Sequence, residues 1–479
     1  MSRAQRAIRG TIWTSSASYV TLLVSFIGNL ILARLLIPDD FGIYALATSA
    51  LTLIFVISGF GSQEAIVQCR DENIRHLVPT AFWMTIILGV ILSISGTILG
   101  RFITVRQDEL VGGLIVILSW TKFVAMISAA YQSTIFRELR YRSMAYQLLF
   151  PTLISFVVAI ILALLGFGIL ALLARELFDS STRFVMAKHA RNYHLTLDFD
   201  REAANWIWHF GWRAMLSRLG EVIFGKWDNL VVGALMGTAV LGNYAMAYRL
   251  AITGSQLTQQ PVSVISHSTY ASAQLEKENL QLALEKAAFW LFRSAVLLAL
   301  LVWFAGSEMT VYLYGAQWTL AGATFKNMFL FVALLPLLTH FKVFLIGSGN
   351  INRQLQTQAV QILSFFPLLI IAASRENLLA VSWALNLSSV VTLLISVYFI
   401  QTIISIRWRY IFLRPLWAGL FTAVLTYAVT QTLDGLLQTA FLSLLLSMAV
   451  LTGAYVLFTL LLDGRSLLDE LDSIRAHLA

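Results

Sequence analysis

Sixteen charged side chains lie within the long apolar segments of this 479-residue chain, where they could bind an ion or a charged substrate. The ten basic ones are Lys122, Arg175, Arg183, Arg213, Arg218, Lys226, Arg249, Arg293, Lys326 and Lys342. The six acidic ones are Glu64, Glu176, Asp179, Glu221, Asp228 and Glu308. A charge at the centre of a membrane helix costs about 2.5–3.5 kcal/mol on insertion scales, so such residues should face a polar cavity or a partner.

The spacing of these charges indicates helices with one polar face. In the segment 204–236, one helical face holds Arg218, Glu221, Gly225, Asp228 and Asn229, with Lys226 at its margin. In the segment 167–189, steps of four residues connect Arg175, Asp179 and Arg183, and Glu176 lies alongside. The second set sums to zero charge, so it either pairs with itself as a ladder or faces a cavity.

Charges near the ends of the apolar segments have a simpler interpretation. Long side chains there can extend to the membrane interface while their stems stay in the apolar layer. This interpretation covers Arg213, Arg293, Lys342 and Glu64 on the cytoplasmic side, and Glu308 and Lys326 on the outer side. The interior as a whole still holds four more basic than acidic residues. A cationic cavity within apolar walls favours a large anionic or amphiphilic substrate, because a low dielectric strengthens its attraction to phosphate oxygens.

The composition places the chain in a membrane. It is 58% hydrophobic and 12% charged, whereas soluble domains carry about 25% charged residues. Because a helix needs about 20 apolar residues to cross the bilayer, we predict an all-α polytopic fold with about 14 spans. The predicted spans are 11–34, 40–66, 77–100, 110–135, 144–165, 167–189, 204–236, 239–265, 286–314, 321–347, 354–373, 376–403, 411–433 and 437–462.

Nothing in the sequence indicates enzyme chemistry. There is no phosphate loop, no glycine-rich dinucleotide turn and no His-Glu-x-x-His motif, and the seven histidines are scattered. The single cysteine, Cys69, excludes a disulfide framework and a multi-cysteine metal site. We therefore predict no enzyme activity, no catalytic residue, no metal, no cofactor and no nucleic-acid partner.

One stretch of the sequence occurs twice. The gapless alignment of 29–47 with 229–247 repeats seven residues: Asn29, Leu30, Leu35, Gly42, Tyr44, Ala45 and Ala47 recur as Asn229, Leu230, Leu235, Gly242, Tyr244, Ala245 and Ala247. Six predicted spans separate the two copies, so both run in the same direction. This predicts an N-terminal lobe of six spans in 1–200, a second lobe in 201–410, and an accessory helix pair with a cytoplasmic tail in 411–479.

Basic residues in the short loops predict the orientation. With the N-terminus inside, 19 Lys and Arg residues fall on the cytoplasmic side and four on the other. Because cytoplasmic loops carry an excess of Lys and Arg, both termini are predicted to be cytoplasmic.

Several stretches resemble a known family. The segment from Ala33 to Tyr44, ARLLIPDDFGIY, resembles the first hairpin of bacterial polysaccharide transporters. Three later stretches agree in order and spacing: 228–233 with 241–244, then 314–318, then 348–350. The family is that of the Wzx-type O-antigen and exopolysaccharide flippases, within the multidrug/oligosaccharidyl-lipid/polysaccharide superfamily. The resemblance covers about residues 1–410.

The resemblance implies two lobes that open alternately to each side of the bacterial cytoplasmic membrane. The substrate would be an undecaprenyl-diphosphate-linked oligosaccharide for surface polysaccharide biosynthesis, and partners would include membrane lipids and the polymerase and glycosyltransferases of that pathway. On this hypothesis the anion contacts are Lys122, Arg175, Arg183, Arg218, Lys226 and Arg249. Residues that balance the cavity's charge or carry a coupling ion are Glu221, Asp228 and Asp179. These assignments come from the charges of the sequence, because no binding motif of the family matches them individually.

Three other functions remain as alternatives. A cation-coupled drug or metabolite antiporter of the same superfamily shares the lobes, but its cavity would be acidic for cationic substrates. A membrane-embedded polysaccharide polymerase or ligase needs catalytic groups on a sizeable external loop, and the largest here, near 101–109, is small. A purely structural membrane scaffold would not need charges in mid-membrane.

Overall fold

The structure, a computed structural model, describes residues 3–59, 66, 74–106, 108–190, 198–272, 277–433 and 440–478, and every regular element within these ranges is helical. The α-helices are α1 Arg3–Leu35, α2 Pro38–Ile54, α3 Ile74–Arg106, α4 Glu109–Arg137, α5 Tyr141–Leu164, α6 Ile169–Ala190, α7 Arg201–Met236, α8 Thr238–Ser272, α9 Lys277–Tyr314, α10 Thr319–Asn327, α11 Phe329–Gly347, α12 Ile351–Ser374, α13 Leu378–Gln401, α14 Arg414–Leu433 and α15 Ala440–Leu478. Short 3-10 helices cover Phe55–Gly59 and Ala316–Trp318, and a π-helix covers Arg409–Leu413.

The helices begin and end where the local sequence favours it. Pro38 begins α2, and the Asp40 carboxylate accepts a hydrogen bond from the Ile37 backbone N–H at 3.2 Å, which caps the first turn. Gly166 and Gly237 follow α5 and α7 with φ of +82° and +87°. Glycine reaches this left-handed region without steric cost, so it ends a helix in a tight turn.

Eleven helices in the described ranges are long and apolar enough to cross a membrane. They do not include α6, α7 and α8, which correspond to the predicted spans 167–189, 204–236 and 239–265. These three have 22, 36 and 35 residues, sufficient for a bilayer core about 30 Å thick at 1.5 Å per residue. Their polar and charged residues lower the hydropathy of each window. The total of 14 spans stays a prediction. The predicted span 321–347 is in fact two helices, α10 and α11, separated at Met328.

Many of the most exposed side chains are large and apolar, and a number of polar side chains are buried. Ile98, Leu363 and Leu461 are 65%, 73% and 70% exposed, whereas Ser93 and Ser119 are fully buried. Water would drive such large apolar side chains inward, but lipid does not. The chain is therefore a multi-pass membrane protein, and the predicted all-α polytopic fold class is confirmed.

The chain forms two compact units, residues 1–242 and 243–479. In the first unit α1 packs on α5, α5 on α6, and α3 on α4. Helices α2, α4 and α6 pack on one another, and α7 packs on α2. This arrangement brings side chains from α2, α4 and α6 to one place. The division into 1–200, 201–410 and 411–479 stays a prediction.

Two glycines of the repeated stretch lie against each other's turns within the first unit. A Cβ on Gly42 would overlap the Thr238 carbonyl oxygen, and a Cβ on Gly242 would overlap the Pro38 carbonyl oxygen. Beside them the Thr238 hydroxyl donates to the Asp39 carboxylate at 2.5 Å. The close approach explains why both copies of the repeat have glycine at this position.

In the second unit α9 packs on α10 and α11, α13 packs on α11 and α12, and α14 and α15 pack on each other and on α9. The core between α9 and α11 includes Leu284, Leu337, Phe341 and Phe344, all fully buried. The predicted accessory pair is thus part of this unit, and both of its helices contact α9.

Candidate functional site

The predicted site residues lie on four helices. Lys122 is on α4, and α6 carries Arg175, Asp179 and Arg183; Arg249 is on α8. The remaining four are on α7, namely Arg218, Glu221, Lys226 and Asp228. The side chains of Arg218 and Glu221 lie outside the described part of the structure, so their assignments stay predictions.

Lys122 forms an ion pair across two helices. Its Nζ lies 2.7 Å from Oε1 of Glu176 on α6. The other carboxylate oxygen of Glu176 accepts a hydrogen bond from the Tyr44 hydroxyl on α2 at 3.0 Å. The Lys122 and Glu176 side chains are 29% and 22% exposed, so the pair is half-buried rather than sealed.

Arg175 contacts the Tyr44 side chain of this group and two further residues. It donates to the Tyr44 hydroxyl and to Oδ1 of Asn29 on α1, each at 3.3 Å. Its guanidinium also lies 5.7 Å from the centre of the Tyr44 ring and 5.3 Å from that of Phe156, a distance at which cations are attracted to aromatic faces. Lys122, Glu176, Tyr44, Arg175 and Asn29 thus form one polar network across α1, α2, α4 and α6, which we call the tyrosine network.

Asp179 and Arg183 form a second group on α6. Asp179 follows Arg175 by about one turn and Arg183 follows it by about two. The Arg183 Nε and Nη2 atoms donate to the two oxygens of Asp179 at 2.7 and 3.0 Å. Arg183 also donates to the backbone carbonyl of Gln147 at 2.9 Å and to the Thr152 hydroxyl at 3.4 Å. Pairing within α6 is therefore found for Asp179 and Arg183. It is not found for Glu176, which pairs with Lys122 of α4.

Lys226 and Asp228 lie in the C-terminal third of α7, a helix that packs on α2. Asp228 is 1% exposed, and its Oδ1 accepts the Asn229 backbone N–H at 2.7 Å. The Asn229 side chain donates to the Ser49 hydroxyl of α2 at 2.9 Å. Lys226 is half-buried on the same helix. In the second unit Arg249 is also half-buried, one residue after Tyr248, whose ring stacks on those of Tyr244 and Phe331.

One ionic group in the second unit differs from its sequence interpretation. Arg293 was predicted to extend to the cytoplasmic interface, but its side chain is 6% exposed and forms an ion pair with Asp463 of α15. Arg414 of α14 lies 2.6 Å from the other oxygen of Asp463. The Tyr455 hydroxyl donates to the Arg293 carbonyl at 2.9 Å. These contacts, the arginine cluster, attach the accessory pair to α9.

Sequence reasoning underrated three members of the tyrosine network. The spacing on α6 indicates Glu176 only as a neighbour of the charged set. The repeat indicates Asn29 and Tyr44 only as repeated positions, without their contacts. The repeat itself was a usable signal, because it retains a polar Asn and a Tyr within apolar helices. Among the described residues no group of three or more His, Cys, Asp or Glu side chains could hold a metal ion.

Comparison with known proteins identifies relatives over most of the chain. A family model described as "Polysaccharide biosynthesis protein" matches residues 31–323. The succinoglycan biosynthesis transport protein ExoT of Rhizobium meliloti (strain 1021) is 24% identical over 356 residues, 72% of this chain and 70% of the relative. The lipopolysaccharide biosynthesis protein WzxC of Escherichia coli (strain K12) is 20% identical over 447 residues, 91% of this chain and 90% of the relative.

Solved structures share the fold. The lipid II flippase MurJ in an inward closed conformation superimposes with a TM-score of 0.78 at 13% identity, over 95% of this chain and all of that one. An inward-facing multidrug resistance transporter of the MATE family gives 0.60 at 15% identity, over 80% and 95% of the two chains. The predicted resemblance is confirmed. ExoT is a transport protein, MurJ a flippase and the MATE protein a transporter, so none of these three is named as an enzyme.

Proposed function

Because the chain belongs to the family of polysaccharide biosynthesis proteins, we propose that it is a flippase for an undecaprenyl-diphosphate-linked oligosaccharide. The observation that carries the proposal is the half-buried ammonium of Lys122, presented among membrane helices of a chain from this family. A partly desolvated ammonium is a strong partner for phosphate oxygens, because hydrogen bonds between ionised groups are about twice as strong as neutral ones.

In this proposal the diphosphate enters the membrane-spanning region while its lipid tail stays in the bilayer. The two lobes open alternately to the cytoplasmic and the outer side, so the charged group never crosses hydrocarbon unpaired. Isolated charges are costly in a medium of low dielectric, and basic side chains along the route lower that cost. The names of relatives support the substrate class, since they include a succinoglycan transport protein and a lipid II flippase.

The proposed anion contacts are Lys122, Arg218, Lys226 and Arg249, with Arg175 and Arg183 behind them. The contacts of the last two support this secondary place, because both guanidiniums already hold several partners. Asp179, Glu221 and Asp228 are proposed to balance the charge or to carry a coupling ion. The burial of Asp228 at 1% exposure supports a role inside the protein rather than at its surface.

The proposed location is the bacterial cytoplasmic membrane, with both termini in the cytoplasm. The loop charge bias supports this orientation. On the cytoplasmic side the protein would receive substrate from glycosyltransferases, and on the outer side it would deliver substrate to a polymerase.

The proposal is tested in cells by Lys226→Ala and Arg249→Ala. We expect each variant to impair export of surface polysaccharide while its amount in the membrane stays at the wild-type level, because truncation removes a charge without changing backbone geometry. Export is measured as polysaccharide at the cell surface, and protein level by immunoblot of membranes. Normal export from both variants would contradict the assignment of these two residues.

Reconstitution separates the proposed function from its alternatives. Purified protein in vesicles should translocate a polyprenyl-diphosphate sugar. Polymerised product without translocation would favour a polymerase or ligase instead. Transport of cationic drugs without movement of the lipid-linked sugar would favour an antiporter.

A further inference from the structure

Three basic side chains of α4 and α6 in the first unit, Lys122, Arg175 and Arg183, are held in different ways. Arg183 donates hydrogen bonds to three residues. Arg175 donates to two residues and lies against two aromatic rings. Among the described residues, Lys122 has one hydrogen-bond and ion-pair partner, Glu176. Of these three, Lys122 is therefore the one that can move with the loss of a single contact among the described residues.

The environment of the pair permits exchange of partners. With side chains 29% and 22% exposed, Lys122 and Glu176 can be reached by a ligand, and the partial exposure keeps the pair weak enough to exchange. A lysine ammonium is a compact charge on a flexible four-carbon stem, and it offers three donors without a fixed orientation. It can turn from a carboxylate to a phosphate oxygen with a small movement of the stem.

Glu176 would not be left unpaired if Lys122 turned away. The Tyr44 hydroxyl donates to its second oxygen at 3.0 Å. Arg175 donates to the Tyr44 oxygen at 3.3 Å, and this directs the hydroxyl proton of Tyr44 toward Glu176. A buried acceptor that loses all its donors carries a full desolvation penalty, and Tyr44 removes most of that penalty here.

From this geometry we infer that Glu176 is a resident counter-anion, which the diphosphate of the substrate displaces from Lys122. With no phosphate bound, Lys122 pairs with Glu176; with phosphate bound, Lys122 pairs with a phosphate oxygen and Tyr44 alone holds Glu176. The inference rests on the proposed function and deepens it. Its consequence is that Glu176 competes with the substrate, which weakens binding and favours release after translocation.

The test measures binding of undecaprenyl diphosphate to purified protein in lipid nanodiscs. In Glu176→Gln the competing charge is gone, and the single amide oxygen still accepts a hydrogen bond from Lys122 or from Tyr44. Because a partly exposed ion pair contributes up to about 1 kcal/mol, we expect about five-fold tighter binding. In Lys122→Gln/Glu176→Gln, binding should be no tighter than in Lys122→Gln.

Glu138→Gln is the matched control. It makes the same substitution in the first unit, directly after α4, at a carboxylate that is 38% exposed and pairs with Arg140 rather than with Lys122. We expect its affinity to stay within about two-fold of wild type, because Lys122 keeps its partner. Equal tightening in the control and in Glu176→Gln would overturn the inference, because a general change of charge would then explain both.

Tyr44→Phe should change the affinity in the opposite direction. Without its hydroxyl, Glu176 depends on Lys122, so release of Lys122 becomes more costly and binding should weaken about three-fold. This second variant keeps the inference testable if Glu176→Gln does not fold. Tighter or unchanged binding in Tyr44→Phe would contradict the inference.

Two competition experiments show which part of the ligand Lys122 binds. Two outcomes of the binding assay then separate this inference from the proposed function. Inorganic pyrophosphate should compete with undecaprenyl diphosphate if the diphosphate group is what Lys122 binds, and undecaprenol should not compete. Wild-type protein that binds no undecaprenyl diphosphate would contradict the proposed function. Wild-type binding with unchanged affinity in Glu176→Gln would contradict only the displacement of Glu176.

Discussion

The tyrosine network and the arginine cluster show two uses of buried charge in one chain. In the tyrosine network, the ion pair of Lys122 and Glu176 is half-buried, and its two members lie on different helices of the first unit. In the arginine cluster, the Asp463 side chain is 2% exposed and pairs with both Arg293 and Arg414. A sealed pair can only hold helices together, whereas a half-open pair can also exchange partners. Charge in a membrane helix is thus not by itself a sign of a substrate site.

The repeated hairpin shows the same divergence at equivalent positions. Tyr44 and Tyr244 occupy the same place in the repeat and are 7% and 0% exposed. Around Tyr44 the structure places a carboxylate and a guanidinium. Around Tyr244 it places a stack with Tyr248, which in turn stacks on Phe331. The duplication kept the ring and its burial but changed what surrounds it.

The largest effect is expected from Asp463→Ala. It would leave the buried Arg293 without its carboxylate, and breaking a buried pair in this way costs about 3–5 kcal/mol. We expect a marked fall in the midpoint of thermal unfolding in detergent. Arg414→Ala is the control, because Arg414 is 46% exposed and its loss should cost no more than about 1 kcal/mol. Equal midpoints for wild type and Asp463→Ala would show that the cluster does not hold the accessory pair.

A much smaller effect on stability is expected from Glu176→Gln. The amide oxygen keeps one of the two hydrogen bonds that the carboxylate accepts from Lys122 and Tyr44. Partly exposed ion pairs contribute at most about 1 kcal/mol. The same unfolding measurement should therefore give a midpoint close to that of wild type. A fall as large as that of Asp463→Ala would remove the distinction between the two ionic groups.

The fold was largely predictable because it depends on local patterns. Apolar length predicted most of the long helices, eleven of which could cross a membrane, and glycine predicted the turns at Gly166 and Gly237. The repeat predicted that Gly42 and Gly242 are equivalent, although only the structure shows that their turns touch. The π-helix Arg409–Leu413 and the separation of α10 from α11 had no clear sequence signal.

The candidate site was less predictable because its pairs are distant in sequence. Lys122 and Glu176 are 54 residues apart, and periodicity within α6 gives no information about α4. The sequence therefore showed Lys122 as a charge without a neighbouring acid. Arg293 was placed at the interface for the same reason, since Asp463 follows it 170 residues later. Spacing reveals pairs within a helix, such as Arg183 and Asp179, but not pairs between helices.

The claim that Lys122 exchanges Glu176 for the diphosphate of the substrate is tested most directly by translocation in reconstituted vesicles that carry the Lys122→Gln variant. The vesicles carry an undecaprenyl-diphosphate-linked oligosaccharide, and its appearance on the opposite face is followed over time. Loss of one charge-assisted contact to phosphate, about 1.5–3 kcal/mol, predicts translocation at least about ten-fold slower than wild type. The unfolding midpoint should change little, because the exposed pair contributes little to stability. Translocation at the wild-type rate would contradict the claim that Lys122 is the exchanging partner of the diphosphate.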